Sequence, residues 1–297
     1  MSWGTRALVI ASTCLLAAYA AGNRTKAGGD KIDVVAAFYP LQFATQQVGG
    51  DQVSVANLVK PGAEPHDLEL QPKQVAQVSN ADLVVYLRSF QPAVDETVDQ
   101  QAKKTSLDVA TVQPLHQAPK GAEETGNDPH VWLDPVRFAA IADRIADRLA
   151  ALDPAHAADI RDRTAALHAK LTALDQEYAT GLAQCQRHEI VTSHAAFGYL
   201  AERYHLTQIP ITGLTPDEEP TPRHLADVAD QARRYHATTI FFETLVSPKI
   251  AQTLASEVGA TAEVLDPIEG IEPGSHDDYL SVMRSNLTQL RTALGCT

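Results

Sequence analysis

Short apolar runs rich in β-branched residues recur early in the chain, at 32–38, 53–59, 81–87 and 106–109. They alternate with stretches of helical periodicity, an order that predicts parallel strands joined by crossover helices. A loop of Gln, Pro, Gly, Glu, Asn and Asp follows at 113–129, and Asp134 with Pro135 then offers an N-cap and a first helical residue. From 135 to about 182 nearly every residue is a helix former. Asp153 and Pro154 break or kink that stretch, and beyond them Ile160, Leu167, Leu171, Leu174, Tyr178 and Leu182 repeat at helical spacing. The repeat predicts one long amphipathic helix of about 28 residues, roughly 42 Å at 1.5 Å per residue, long enough to run along two small domains. Strands then resume at 189–192, 206–212, 238–243 and 261–265, with helices starting near 195, 222, 247 and 276. The expected fold is α/β: an N-terminal lobe at 31–134 and a C-terminal lobe at 185–297, each with a four-stranded, mostly parallel sheet, joined by a long rigid backbone helix at 135–184. Open parallel sheets bind ligands outside the carboxyl ends of their strands, so the two lobes should meet across a cleft.

Ahead of the first lobe, residues 1–20 are expected to be a signal peptide and 21–30 a polar tether. Arg6 precedes an apolar run of about 15 residues, short of the roughly 20 that span a bilayer. Ala18-Tyr19-Ala20 supplies a small-residue cleavage site. Cys14 is the candidate for lipid attachment, although Thr13 stands before it where Gly or Ala would be expected. The protein is thus expected in the periplasm or on the outer face of the cytoplasmic membrane. In an exported chain the other two cysteines, Cys185 and Cys296, are expected to form a disulfide.

Composition narrows the function. A chain of 297 residues with 44% hydrophobic content can fill sizeable cores. Its formal charge of −13 argues against a nucleic-acid partner or an anionic membrane surface, both of which demand clustered Lys and Arg. Aromatic residues at 6% and two methionines argue against an adaptable Met-rich face or a deep aromatic pocket for a large ligand.

Of eleven histidines, three fall at loop positions on the edge expected to carry ligands. His66 lies in a Pro-rich turn after the second strand, His130 just before the long helical region, and His194 at the end of the first strand of the second lobe. A lone loop histidine is usually a solvated side chain, but three at strand ends of two facing lobes point to a metal. Zn²⁺ takes a tetrahedral set of N and O donors, and Asp266, after the last strand, is the expected fourth ligand, with Glu64 as substitute. The competing reading of Asp266 is a turn before Pro267. Imidazole-rich sites favour Zn²⁺ over Mn²⁺ or Mg²⁺. His116, near Glu123 and Glu124, is a candidate for a weak accessory cation site, and the remaining histidines read as surface or structural.

Four motifs in order carry a resemblance: Pro61-Gly62-Ala63-Glu64-Pro65-His66-Asp67, Asp128-Pro129-His130-Val131-Trp132-Leu133-Asp134-Pro135, Thr192-Ser193-His194-Ala195-Ala196-Phe197-Gly198-Tyr199, and Phe241-Phe242-Glu243 followed by Val264-Leu265-Asp266-Pro267. Through them the chain resembles the cluster A-I solute-binding proteins of metal ABC transporters, and within these the zinc-uptake branch. The resemblance runs from about 32 to 294 and implies two (β/α)₄-like lobes on a rigid linker helix. It implies that His66 and His130 ligate from the first lobe and His194 and Asp266 from the second, and that His194 in place of a glutamate favours zinc. It further implies a monomeric, non-enzymatic carrier that captures Zn²⁺ and delivers it to a membrane permease. The chain departs from many zinc members in lacking a His-rich loop, since 113–129 hold only His116, and Pro65 stands where some members carry an acid. The alternatives are a manganese or iron carrier of the same family, and a secreted zinc hydrolase with Glu64 or Glu243 as general base. A His-Glu-x-x-His helix expected of many zinc proteases is missing from the sequence.

Overall fold

The computed structural model describes Met1, residues 31–118 and residues 126–297. The expected cleavage site, tether and Cys14 lie outside the described residues, as do Glu123 and Glu124.

The first lobe runs β1 (Ile32–Ala36), α1 (Tyr39–Gly49), β2 (Val53–Asn57), α2 (Pro72–Asn80), β3 (Leu83–Tyr86), α3 (Pro92–Thr97) and β4 (Ser106–Asp108). Two helices follow, α4 (Pro135–Leu152) and α5 (Ala157–Gly181). The second lobe runs β5 (Glu189–Thr192), α6 (Gly198–Arg203), β6 (Thr207–Pro210), α7 (Pro222–Arg234), β7 (Thr239–Phe242), α8 (Lys249–Val258), β8 (Thr261–Val264) and α9 (Tyr279–Leu294). Both sheets are fully parallel, ordered β2-β1-β3-β4 and β6-β5-β7-β8, so the second lobe repeats the strand order of the first. Strands such as Leu83–Tyr86 are buried along their whole length, the mark of a parallel strand covered on both faces.

The region between the lobes is two helices broken at Asp153 and Pro154, and the second, with the turn that opens it, is the expected long helix. Asp134 caps α4, its Oδ1 accepting from Val136 N at 2.8 Å, with Pro135 in the first turn. At Asp153 the chain reverses: Pro154 cannot continue the helix, and His156 Nδ1 closes the turn on Asp153 Oδ2 at 2.6 Å. Helix α5 then returns antiparallel along α4, with His168 Nε2 2.8 Å from Asp143 Oδ1. Helix α5, extended at its start by the turn Pro154–His156, runs along both lobes. Its apolar stripe of Ile160, Leu167, Leu171, Leu174 and Tyr178 is buried. Near its start Arg163 Nε donates to Val48 O of α1 at 3.0 Å, and near its end Tyr178 OH donates to Met283 O of α9 at 2.6 Å. Arg203 of α6 grips Asp175 on the same helix, Nη2 to Oδ2 at 2.8 Å.

One apolar core therefore runs from the first sheet through α4 and α5 into α6 and α9, and a smaller one fills the outer side of the second sheet around Val191, Val228, Ile240 and Leu254. Truncating the stripe, as in Leu174→Ala, should lower the free energy of unfolding by about 2–5 kcal/mol, read from denaturant midpoints at unchanged slope. The expected disulfide is present, joining Cys185 before β5 to Cys296 after α9 across 111 residues.

Candidate metal centre

His66 hangs from the loop after β2, whose shape is set by two contacts. Gly62, at φ 78°, donates its N–H to Ile271 O of the second lobe at 2.9 Å, and a Cβ there would stand 2.8 Å from Pro273 Cδ. Glu64 folds back on its own loop, its Oε2 accepting from His66 N at 2.9 Å and from Asp67 N at 3.4 Å. Glu64 is thus a turn former and not a fourth donor. Burial, with the nearby Glu269 charge, pushes its carboxyl up to about 8.

His130 follows β4 and its loop. Asp128 Oδ1 accepts from both the backbone N–H of His130, at 2.9 Å, and its Nδ1, at 2.8 Å, so the ring is fixed with Nε2 facing the cleft. His194, after β5, is held in the same way by Glu243 at the end of β7: Oε1 lies 2.8 Å from Nδ1 and 2.9 Å from Ser193 Oγ. A carboxylate behind each imidazole selects the tautomer that offers Nε2 to a metal. Glu243 is therefore committed to orienting His194.

The fourth donor is Glu269, not Asp266. Asp266 follows β8 but turns to its own backbone, Oδ1 accepting from Ile268 N at 2.7 Å and Oδ2 from Thr244 Oγ1 at 3.0 Å. Before Pro267 this is the turn that an aspartate commonly makes. The chain then continues into the cleft, and Glu269 brings one oxygen, Oε1, to 3.4 Å from His66 Nε2, 3.0 Å from His130 Nε2 and 3.2 Å from His194 Nε2. His130 Nε2 and His194 Nε2 are 3.4 Å apart. Zn²⁺ with ligand bonds of about 2.0–2.1 Å spaces its donors by about 3.3–3.4 Å in a tetrahedron. These four spacings lie near that figure, and all four donors lie within 4.8 Å of one another.

Three of these side chains are fully buried and His66 is 8% exposed. The second oxygen of Glu269 makes no hydrogen bond among the described residues, which suits a carboxylate facing a cation. Burial alone would raise Glu269, but His66, His130 and His194 hold it well below the ordinary carboxylate range. Burial would likewise lower the two inner imidazoles. Asp128 and Glu269 instead hold His130 above its ordinary value, and Glu243 and Glu269 do the same more strongly for His194.

A cleft of about 470 Å³, lined by His66, Asp67, Phe90, Asn127 and Thr215, leads to this group from the His66 side. A larger hollow of about 780 Å³ between α4 and α5 contains none of the donors. His116 is engaged elsewhere. Its ring stacks on Tyr199 at 4.3 Å, with Nδ1 3.0 Å from Glu202 and Nε2 2.9 Å from Arg137, so it joins the lobes and forms no cation site with its described neighbours. Glu64, Asp67 and Asp217 gather their carboxylates nearer the surface, apart from the four donors.

Sequence reasoning missed Glu269 and the backing carboxylate Asp128. The first carries no local pattern; the second sits two residues before a ligand, where an aspartate can bond both the backbone and the ring.

Residues 34–293 match the ZnuA family, described as zinc-uptake complex component A, periplasmic. The chain is 36% identical over 303 residues to the zinc-binding lipoprotein AdcA of Streptococcus pneumoniae serotype 4, covering 96% of this chain but 60% of that protein's length. It is 34% identical over 308 residues to the high-affinity zinc uptake system protein ZnuA of Bacillus subtilis, covering 97% of each. Its fold superposes with a TM-score of 0.76 on the Zn(II)-bound ZnuA-like domain of Streptococcus pneumoniae AdcA, at 36% identity over 89% of this chain and 99% of the other. The family match runs through all four donors and both lobes, and the chain belongs to the ZnuA family.

Proposed function

We propose that the protein captures Zn²⁺ outside the cytoplasm, as a monomer, on His66, His130, His194 and Glu269, and hands the ion to an ABC-type permease in the membrane. The observation that carries this reading is the convergence of three Nε2 atoms on Glu269 Oε1 at the spacing of a zinc tetrahedron. Four protein donors fill the coordination sphere and leave no position for a reactive water, so the ion is cargo and the hydrolase alternative loses its nucleophile. Three imidazoles and a single carboxylate favour zinc over a manganese or iron cargo, which prefers more oxygen. Among the described residues no helix is long and apolar enough to cross a membrane.

Chelator-stripped protein titrated with Zn²⁺ against a competing indicator, with Mn²⁺ in parallel, tests this. One tight equivalent of zinc that excess Mn²⁺ does not displace is expected; no tight equivalent would overturn the reading. The pH dependence follows from the carboxylates behind the rings. Because they hold His130 and His194 above the ordinary imidazole value, the metal-free site keeps its protons to higher pH than a free histidine. Zinc must displace those protons, so affinity should fall with acidification starting above about pH 6.5, with proton release on binding measurable in weakly buffered solution.

A further inference from the structure

The turn that carries Glu269 is held in a backbone conformation that its own residue disfavours. Ile268 has φ 59°, in the left-handed region, and is completely buried. A β-branched residue there is a genuine outlier, and such residues persist only where their surroundings over-determine them. The surroundings here are specific. Asp266 Oδ1 accepts from Ile268 N at 2.7 Å. Asn286, buried on α9, grips Asp266 on both sides of its backbone: Oδ1 accepts from Asp266 N at 3.0 Å, and Nδ2 donates to Asp266 O at 2.7 Å. Pro267 O accepts from Trp132 Nε1 of the first lobe at 2.7 Å.

We propose that Asn286 and Asp266 are positioning residues for the metal-binding carboxylate of Glu269, together forming a clamp that keeps Ile268 left-handed and so aims Glu269 at the three histidines. The proposal rests on the zinc reading above. Neither clamp residue belongs to the donor group. Asn286 anchors Asp266, Asp266 anchors Ile268, and the conformation of Ile268 sets the direction of the next side chain. With the clamp broken, Ile268 relaxes to an ordinary φ and Glu269 Oε1 leaves the imidazoles, so three nitrogens remain around a position open to water.

The test compares the wild-type chain with Asp266→Ala, Asp266→Asn and Asn286→Leu. Zn²⁺ affinity is read by indicator competition, ligand geometry by the visible absorption of bound Co²⁺, and folding by circular dichroism. Asp266→Ala and Asn286→Leu are each expected to bind Zn²⁺ about 10–100-fold more weakly, the range for losing a group that orients a ligand. Their Co²⁺ bands should change in position and intensity as water replaces the Glu269 oxygen. Asp266→Asn, which keeps the turn-forming oxygen, should restore affinity to within about threefold and return the wild-type spectrum. Asp266→Ala and Asn286→Leu that bind like wild type with unchanged Co²⁺ bands would overturn the proposal. So would an Asp266→Asn variant as weak as Asp266→Ala, since the carboxylate charge would then matter and not its turn. If one clamp variant fails to fold, the other decides. A wild-type chain that takes up no Zn²⁺ or Co²⁺ would instead sink the zinc reading itself.

Discussion

Glu269→Gln is expected to weaken zinc binding by about 10²–10³-fold. The ground for this size is that four-ligand zinc sites supply apparent free energies of about 10–16 kcal/mol, or roughly 2.5–4 kcal/mol for each donor. Glutamine keeps the length and hydrogen-bonding shape of the side chain but removes the charge that faces three imidazoles at 3.0–3.4 Å. A buried amide oxygen is a poor zinc ligand, and its loss of charge outweighs the easier deprotonation of the two inner histidines, each of which loses one of the two carboxylates that raise it. The measurement is indicator competition, paired with the effect of zinc on the melting temperature. A loss smaller than about tenfold would mean that Glu269 is not a donor, because even removal of an orienting group costs about that much.

The second large effect concerns stability and leaves the ion aside. Replacing Cys185 and Cys296 by serine, or reducing their bond, should lower the free energy of unfolding by about 4–5 kcal/mol in the chain-entropy account of a loop this long. The bond closes 111 residues, nearly the whole second lobe, and fastens the end of α9 beside the exit of α5. Backbone bonds share that junction: Gln186 N and Arg187 N both donate to Leu294 O, at 3.0 and 3.1 Å. The reduced native state should therefore keep its shape and its zinc affinity while its denaturant midpoint falls. An unchanged midpoint on reduction would show that the backbone contacts alone hold the junction.

Much of the fold could be read from the chain because its strands are short, β-branched and buried on both faces, so each appears as an apolar run. The start of α4 at Asp134-Pro135 and the buried stripe of α5 were equally legible. The reversal at Asp153 was not, because helix formers flank Asp-Pro whether the second helix continues the first or folds back on it. What decides it is the packing of both helices on α1, a tertiary matter invisible to local periodicity. The three histidines stood out because each falls in a loop at the carboxyl edge of a sheet, after β2, β4 or β5. The fourth donor did not, since Asp266 is the acid nearest β8, and only the direction of the left-handed turn at Ile268 makes the acid three residues later the one that reaches the cleft. The contacts of His116 with Glu202 and Arg137 were not legible either, because those partners are distant in sequence.

The apolar core that the two lobes share also sets the heat capacity of ion capture. Phe43, Phe138 and Tyr279 pack across the lobe boundary, Tyr279 OH donates to Trp132 O at 2.6 Å, and Tyr199 OH donates to Asp128 O at 2.9 Å. Lobes joined in this way cannot swing apart without wetting those rings. A carrier that closes like a jaw on its cargo hides fresh apolar surface and gives a negative heat-capacity change, about 0.45 kcal/mol/K for each 1,000 Å² of apolar area. Here the rings at the boundary are already buried, so calorimetry of zinc binding at several temperatures should give enthalpies that hardly vary once proton release is subtracted. Temperature then acts on zinc binding through proton and metal–ligand equilibria, with almost no contribution from hydrophobic closure.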